Sequence, residues 1–446
     1  MPSPDQSSPT TEGGAGKELL EKFNVKVGQR IEVETTDGLI VTGLLIPRYE
    51  HADSDYIVIK LKSGYNTGLK AEHVKRIKIV ESQLPAPRVQ NTSSTVPNDG
   101  GKNLLLLSTG GTIASRVDYR TGAVYPALSA QDLYLTIPEL DEIAKIKPHV
   151  VFSIYSENIG PKEWQTLSEK IVAYSKEESP DGIVVMIGTD TLAYVAAALS
   201  FSTIGLKPPV VLVGAQRSTD RPSSDGALNL KAAATFAVDS EISGVFVAMH
   251  ENENDDSIAI HTGSRVRKNH TSRRDAFESI DVPLFGRVRG NQIVKTPGNQ
   301  QKQQRSNEFE LKTRFEENVA LLKSYPGFDQ TLLPYLHRER KLKGLIIEGT
   351  GLGHVSSKTV DEIEKLTKSG VFVGITSQCI WGRVDLNVYE TGRDMINAGA
   401  IPLENMIAET ALAKLSWAIA NFKNVSEVML TNLVGEFTPR IPLKVG

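Results

Sequence analysis

Two hydrophobic runs in the chain end in glycine and hydroxyl side chains. Leu104 to Ser108 leads into Thr109-Gly110-Gly111-Thr112-Ile113-Ala114, and Val184 to Ile187 leads into Gly188-Thr189-Asp190-Thr191. Paired glycines let a backbone turn sharply and approach a ligand closely. A threonine hydroxyl beside them is a weak nucleophile until a base takes its proton. With one cysteine, Cys379, and only 8 histidines, a base of another kind has to be considered. A lysine can serve, given a carboxylate to hold it. The stretch Ser264-Arg-Val-Arg-Lys268-Asn-His-Thr-Ser-Arg-Arg-Asp275 supplies a lysine, although taken alone it reads as a solvated basic loop. A Gly-rich strand end also suits phosphate, yet the chain has no Walker lysine pattern and no G-x-G-x-x-G. His250 and His261 stand in no metal-ligand spacing, so they read as polar framework and no metal site is expected.

The elements that must carry these residues follow from the hydrophobic pattern. Buried-strand runs occur at Asn103–Ser108, Gly182–Gly188, Pro209–Gly214 and Gly244–His250, with helical stretches at Glu163–Ser175 and Thr191–Ser202 between them. Alternating strand and helix imply a parallel sheet covered on both faces. In such sheets ligands bind where loops leave the carboxyl ends of strands. Both hydroxyl-bearing turns sit at such ends. Residues 297–316 are polar and read as a connection. A second alternation follows, with strands near Val319–Leu322, Gly344–Glu348 and Val371–Thr376 and helices near Ser357–Lys368 and Thr410–Phe422.

Ahead of this α/β body the grammar differs. Residues 1–17 carry little that could be buried and read as a disordered tail. Within residues 18–83, Ile31, Val33 and Thr35 alternate with glutamates, Asp37-Gly38 marks a turn, and apolar runs follow at Leu39–Ile46, Tyr56–Leu61 and Val74–Val80, with Ser63-Gly64 and Asn66-Thr67-Gly68 read as separators. Four or five short strands suggest a small SH3-like β-barrel. Residues 84–101 are Pro-rich, polar and aperiodic, as a linker is. The resulting division is a tail, a barrel (18–83), a linker, a catalytic α/β domain (102–296), a connection (297–316) and a C-terminal α/β domain (317–446).

Composition excludes several classes. The 446 residues contain 40% hydrophobic and 23% charged side chains, with 50 basic against 53 acidic residues for a net charge of -3. That is a globular balance without the basic field of an autonomous nucleic-acid binder. Lys17 to Glu81 holds 11 Lys/Arg against 10 Asp/Glu, a net of +1, which suits protein docking better than tight RNA binding. A lone cysteine allows no internal disulfide, and the longest apolar run, Leu192–Leu199, is far short of the roughly 20 residues that span a bilayer. The chain reads as a soluble protein of a reducing compartment.

Thr109-Gly-Gly-Thr-Ile-Ala114 and Gly188-Thr-Asp-Thr191 resemble the two signature motifs of bacterial-type L-asparaginases and glutaminase-asparaginases. The likeness continues through Pro209–Arg217, Ser224-Asp-Gly-Ala-Leu-Asn229 and Lys268–Phe277, and covers residues 102–446. It implies an asparaginase-like two-domain parallel-sheet body. It also implies that Thr112 is the nucleophile and that Thr189, Asp190 and Lys268 form a Thr-Lys-Asp group. Gly111, Gly188, Ser156 and Glu157 would contact substrate, Glu157 standing where the family has Gln or Asp. A loop tyrosine assists in that family, and both Tyr119 and Tyr125 lie in the corresponding loop. Tyr125 lies further along it and is the favoured choice.

With the barrel and linker in front, the chain is similar to the D-subunit family of archaeal glutamyl-tRNA(Gln) amidotransferases. Val117–Val124, Ser156–Asn158, Gln378–Val384 and Asn387–Gly392 carry that likeness. It implies hydrolysis of L-glutamine in the cytoplasm and delivery of ammonia to a GatE-type amidotransferase subunit, which would amidate Glu-tRNA(Gln). ATP and Mg are then expected on the partner, with no cofactor on this chain, and a homodimer is implied within a heterotetramer. The competing reading is a stand-alone cytoplasmic L-asparaginase with an accessory N-terminal domain. A third is a non-catalytic scaffold, against which the intact Thr112, Thr189, Asp190 and Lys268 argue.

Overall fold

The computed structural model describes residues 14–26, 29–46, 55–61, 66–81, 101–111, 115–117, 124–126, 140, 142–217, 224–297 and 311–440. Counts and absences concern these residues.

Helix α1 (Ala15–Lys22) precedes strands β1 (Arg30–Thr35), β2 (Ile40–Ile46), β3 (Tyr56–Leu61), β4 (Asn66–Lys70) and β5 (Val74–Glu81). The five strands form an antiparallel sheet in the order β4-β3-β2-β1-β5. Period-2 alternation puts Ile31, Val33, Leu45, Ile57 and Ile59 into one core, onto which Leu19, Leu20 and Phe23 also pack. Two expectations are corrected. Helix α1 begins at Ala15, inside the stretch 1–17 expected as a tail, because Leu19 and Leu20 give it an apolar face to bury; residues 1–13 lie outside the described residues. Asn66-Thr67-Gly68 is strand rather than turn: β4 pairs with β3, Gly68 opposite Val58, and backbone pairing overrides the weak strand propensity of Asn and Gly.

The larger unit is built on β6 (Asn103–Ser108), β7 (Ser115–Val117), β8 (Val124–Pro126), β9 (Lys145–Val150), β10 (Gly182–Met186), β11 (Val210–Val213), β12 (Val245–His250) and β13 (Ile258–Thr262). It continues with β14 (Val266–Lys268), β15 (Phe277–Ser279), β16 (Gly286–Arg289) and β17 (Gln292–Lys295), and its helices are α2 (Pro161–Glu178), α3 (Leu192–Ser202) and α4 (Gly226–Asp239). The main sheet runs β17-β16-β13-β12-β11-β10-β6-β9. It is parallel from β9 to β12 and antiparallel from β12 to β17, so the expected parallel sheet is mixed. Strand β9 contains Lys145, Lys147, Pro148 and His149. As an edge strand it tolerates proline and charge, which is why its sequence carries no buried-strand signal.

Strands β6 and β10 are apolar throughout because both faces are covered. Leu104, Leu106, Val184 and Met186 face a core shared with α4, and Leu105, Leu107, Ile183 and Val185 face one shared with α2 and α3. Each fully buried aliphatic side chain contributes roughly 1.5–3 kcal/mol.

The C-terminal unit comprises β18 (Val319–Lys323), α5 (Leu332–Arg340), β19 (Gly344–Gly349), α6 (Ser357–Lys368), β20 (Phe372–Ser377), α7 (Glu390–Asn397), β21 (Ile401–Pro402), α8 (Ala408–Asn421) and α9 (Val425–Leu430). Its four strands are parallel, in sequential order. Helix α8 joins the two units: Trp417 stacks on Phe201 of α3 with centroids 5.6 Å apart, while Leu415 packs with Ile346 of β19.

Candidate active site

The carboxyl ends of β9, β6, β10 and β11 lie side by side, and close backbone contacts lock their turns together. Thr109 donates through both its N–H and its Oγ1 to the Met186 carbonyl, each at 3.0 Å. Gly111, at φ +85°, is so close to the second motif that a Cβ there would lie 2.3 Å from Gly188 N. Gly188 abuts Ser156: a Cβ on it would lie 2.8 Å from both Ser156 Cβ and Oγ. Thr191 Oγ1 donates to the Ser156 carbonyl at 2.6 Å. These contacts bring Gly111, Gly188, Ser156 and Thr189 to one spot on the rim. Glu157 is exposed there beside buried Ser156.

Lys268 reaches the same place from outside the main sheet. Its strand β14 pairs only with β15, Lys268 opposite Phe277. The Lys268 Nζ donates to Thr189 Oγ1 at 2.8 Å and to Asp190 Oδ1 at 2.7 Å. Thr189 is buried and the Lys268 side chain is only 12% exposed, whereas Asp190 is 70% exposed. The Thr189–Lys268–Asp190 group is therefore assembled, and Lys268 is no solvated loop lysine. Of its neighbours, exposed Arg273 fits that simpler description, pairing with Asp275, while Arg274 is 19% exposed and pairs with Asp255.

Thr112 and Tyr119 lie outside the described residues. Tyr125 is in β8, its backbone opposite Arg116 of β7, in the hairpin that follows the first motif.

The Ser224–Asn229 motif proves to be a support. The buried Asp225 carboxylate accepts the backbone N–H groups of Gln216 and Arg217, each at 3.0 Å, and the Asn229 amide at 3.1 Å. This fixes the turn after β11, whose Gly214 packs on the Thr189 methyl. His250 and His261 are framework, as their sequence context suggested. Buried His250 bonds Asn229 Oδ1 through Nδ1 at 2.6 Å, and His261 bonds Ser279 Oγ at 2.9 Å. Burial holds the His261 imidazole down to about 3, so it stays neutral.

Sequence reasoning passed over two contributors. Thr191 was read only as part of a motif, yet it ties the second motif to Ser156. Buried Arg265 donates to the carbonyls of Ile280, Asn405 and Glu436, anchoring the strand that carries Lys268. No described group of three or more His, Cys, Asp or Glu side chains could hold a metal ion, and no described helix is long and apolar enough to cross a membrane.

This mixed sheet, the smaller parallel sheet behind it and the threonine-bearing rim define an asparaginase-type α/β body. Residues 103–300 match the model of the asparaginase N-terminal domain, and residues 318–429 that of the glutaminase/asparaginase C-terminal domain. The thermostable L-asparaginase from Thermococcus kodakarensis superposes with a TM-score of 0.66 at 32% identity, covering 76% of this chain and all of that one.

Residues 25–80 add a match to the GatD N-terminal domain. The D subunit of the Pyrococcus abyssi glutamyl-tRNA(Gln) amidotransferase is 44% identical over 95% of this chain and 97% of its own length, and that of Saccharolobus solfataricus is 42% identical over 96% of each. The chain belongs to the D-subunit family of glutamyl-tRNA(Gln) amidotransferases.

Proposed function

We propose that the chain is the glutaminase subunit of a tRNA-dependent amidotransferase, releasing ammonia from L-glutamine for a partner that converts Glu-tRNA(Gln) to Gln-tRNA(Gln). The observation that carries the chemistry is Lys268 Nζ held between Thr189 Oγ1 and Asp190 Oδ1 at 2.8 and 2.7 Å. Gly111, the residue before Thr112, lies against the same turn. Thr112 attacks the side-chain carboxamide carbon, its hydroxyl proton leaves, and the C–N bond breaks to give ammonia and an acyl-enzyme. Water then attacks the ester, yielding glutamate and free Thr112. The Lys268–Thr189 contact is the line along which a proton moves during these steps, and Asp190 holds the lysine on it. A backbone N–H near Gly111 or Thr189 would stabilise the developing oxyanion, such a donor being worth roughly 3 kcal/mol. Ser156, Glu157 and Gly188 hold the substrate, and Tyr125 serves the nucleophile's loop.

Division of labour supports the assembly. The relatives are named as subunits of an amidotransferase, and a net charge of -3 suits a chain whose GatE-type partner holds most of the tRNA. ATP and Mg belong to that partner, and the chain works in the cytoplasm as a homodimer within a heterotetramer. The test compares ammonia release from glutamine and asparagine by the purified chain, with and without the partner, ATP and Glu-tRNA(Gln). Strong stimulation on glutamine is the expected result. Brisk asparagine turnover by the isolated chain, unaffected by partner and tRNA, favours the stand-alone asparaginase instead.

A further inference from the structure

Lys268 sits at the end of a strand that the main sheet does not hold. Strand β14 is three residues long, pairs only with the equally short β15, and opens into the exposed segment Asn269 to Arg273. A two-stranded ribbon of this length does not fix its own pitch. Its beginning is anchored by buried Arg265. Its end has a different tether. Side chains alternate along a strand, so Arg267 leaves β14 on the face opposite Lys268. There its Nη1 lies 3.2 Å from Glu409 Oε1 and 3.4 Å from Oε2.

Glu409 is in the first turn of α8, the helix that joins the two α/β units, and its side chain is 8% exposed. A carboxylate is favoured at a helix N-terminus, but burying it without a cation is costly. The charged and titratable groups acting on it are Arg267 from β14 and Glu348 from the end of β19, and Glu409 in turn acts on Tyr194 of α3. Arg267 is the cation among them.

We propose that Arg267 and Glu409 are positioning residues for Lys268: their ion pair clamps the end of β14 to α8 and so sets the line from Lys268 Nζ to Thr189 Oγ1. The inference rests on the reading of Lys268 as part of the catalytic group. Neither residue touches that group, and their effect runs through the backbone of β14. A displacement of about 1 Å in a catalytic group can cost on the order of 10²-fold in rate, so partial loosening should cost about tenfold.

The pair also makes a pH prediction. Burial holds the Glu409 carboxyl above the ordinary carboxylate range, with Glu348 adding to that and Arg267 opposing it. On acidification Glu409 therefore takes up its proton earlier than an exposed glutamate, and the clamp loses its charge pair.

The test uses the full chain with its partner subunit and compares wild type, Arg267→Gln, Arg267→Lys, Glu409→Gln, the Arg267→Gln/Glu409→Gln double variant and Lys268→Met. Arg267→Gln and Glu409→Gln should each lower kcat for ammonia release about tenfold with KM for glutamine within about twofold. The double variant should be no worse than either single one, Arg267→Lys should recover part of the loss, and Glu409→Gln should remove the acid limb that Glu409 gives the wild type. Near-wild-type kcat in both Arg267→Gln and Glu409→Gln, or additive losses in the double variant, overturns the clamp. Full activity in Lys268→Met instead overturns the catalytic reading beneath it, so the two failures are distinguishable.

Discussion

Placing alanine at Gly111 tests whether the first motif rests directly on the second. Gly111 has φ +85°, a left-handed conformation that costs an L side chain roughly 1–2 kcal/mol. The added Cβ would lie 2.3 Å from Gly188 N, 2.5 Å from Gly188 Cα and 2.8 Å from Ile187 C. All three are backbone atoms at the end of a central strand, so no side chain can rotate away. Overpacking of this kind typically costs about 1–3 kcal/mol, bringing Gly111→Ala to roughly 2–5 kcal/mol. At Gly188 the added Cβ would be too close only to the Ser156 side chain, at 2.8 Å, with Gly111 Cα at an ordinary 3.5 Å, and its φ is unstrained. Overpacking alone applies there, about 1–3 kcal/mol. Adding Ser156→Gly should restore most of that stability, though not substrate binding. Urea unfolding read by tryptophan fluorescence suits the comparison, because the chain's 3 tryptophans, Trp164, Trp381 and Trp417, all lie in the α/β body. If Gly111→Ala is as stable as wild type, or less damaging than Gly188→Ala, the described apposition of the two motifs is wrong.

Two further predictions concern buried charge and acid. Lys414 and Glu436 are an ion pair with both side chains at 0% exposure, and Lys414 Nζ also donates to the Met429 and Thr431 carbonyls. Lys414→Met should destabilise the body by about 3–5 kcal/mol by stranding Glu436, and Lys414→Met/Glu436→Gln should lose less; equal losses in urea melts would refute the pairing as the cause. His261 is held down to about 3 against an ordinary 6.5, so its contribution is full above pH 6.5. Between those values only the unfolded chain takes the proton, and stability falls by up to about 1.4 kcal/mol per pH unit. His261→Asn should shallow that slope, and an unchanged slope in urea melts from pH 7 to 5 would show that His261 is not its source.

Much of the body was legible in the sequence because its strands are buried on both faces. Leu104–Leu107 and Ile183–Met186 are apolar at every position, and that pattern, ending in Gly-Thr clusters, located both turns of the rim. What escaped was structure whose residues answer to distant partners. β9 is an edge strand with lysines and a proline. β4 is strand only because β3 pairs with it. Lys268 looked like a solvated lysine since its partners, Thr189 and Asp190, lie almost eighty residues earlier. Glu409 opens an apolar helix, and only the fold shows that Arg267 reaches it.

In the proposed function, Lys268, Thr189 and Asp190 form the working part of a glutaminase feeding a separate amidation step. This assignment is tested most directly by coupling the chain to its partner subunit with ATP and Glu-tRNA(Gln) and supplying nitrogen from either glutamine or ammonium chloride. Lys268→Met and Thr189→Ala should lower glutamine-dependent formation of Gln-tRNA(Gln) by roughly 10²–10⁴-fold, while ammonium-dependent formation stays near the wild-type rate. Wild-type glutamine-dependent rates in both variants would show that these three residues do not carry the glutaminase step.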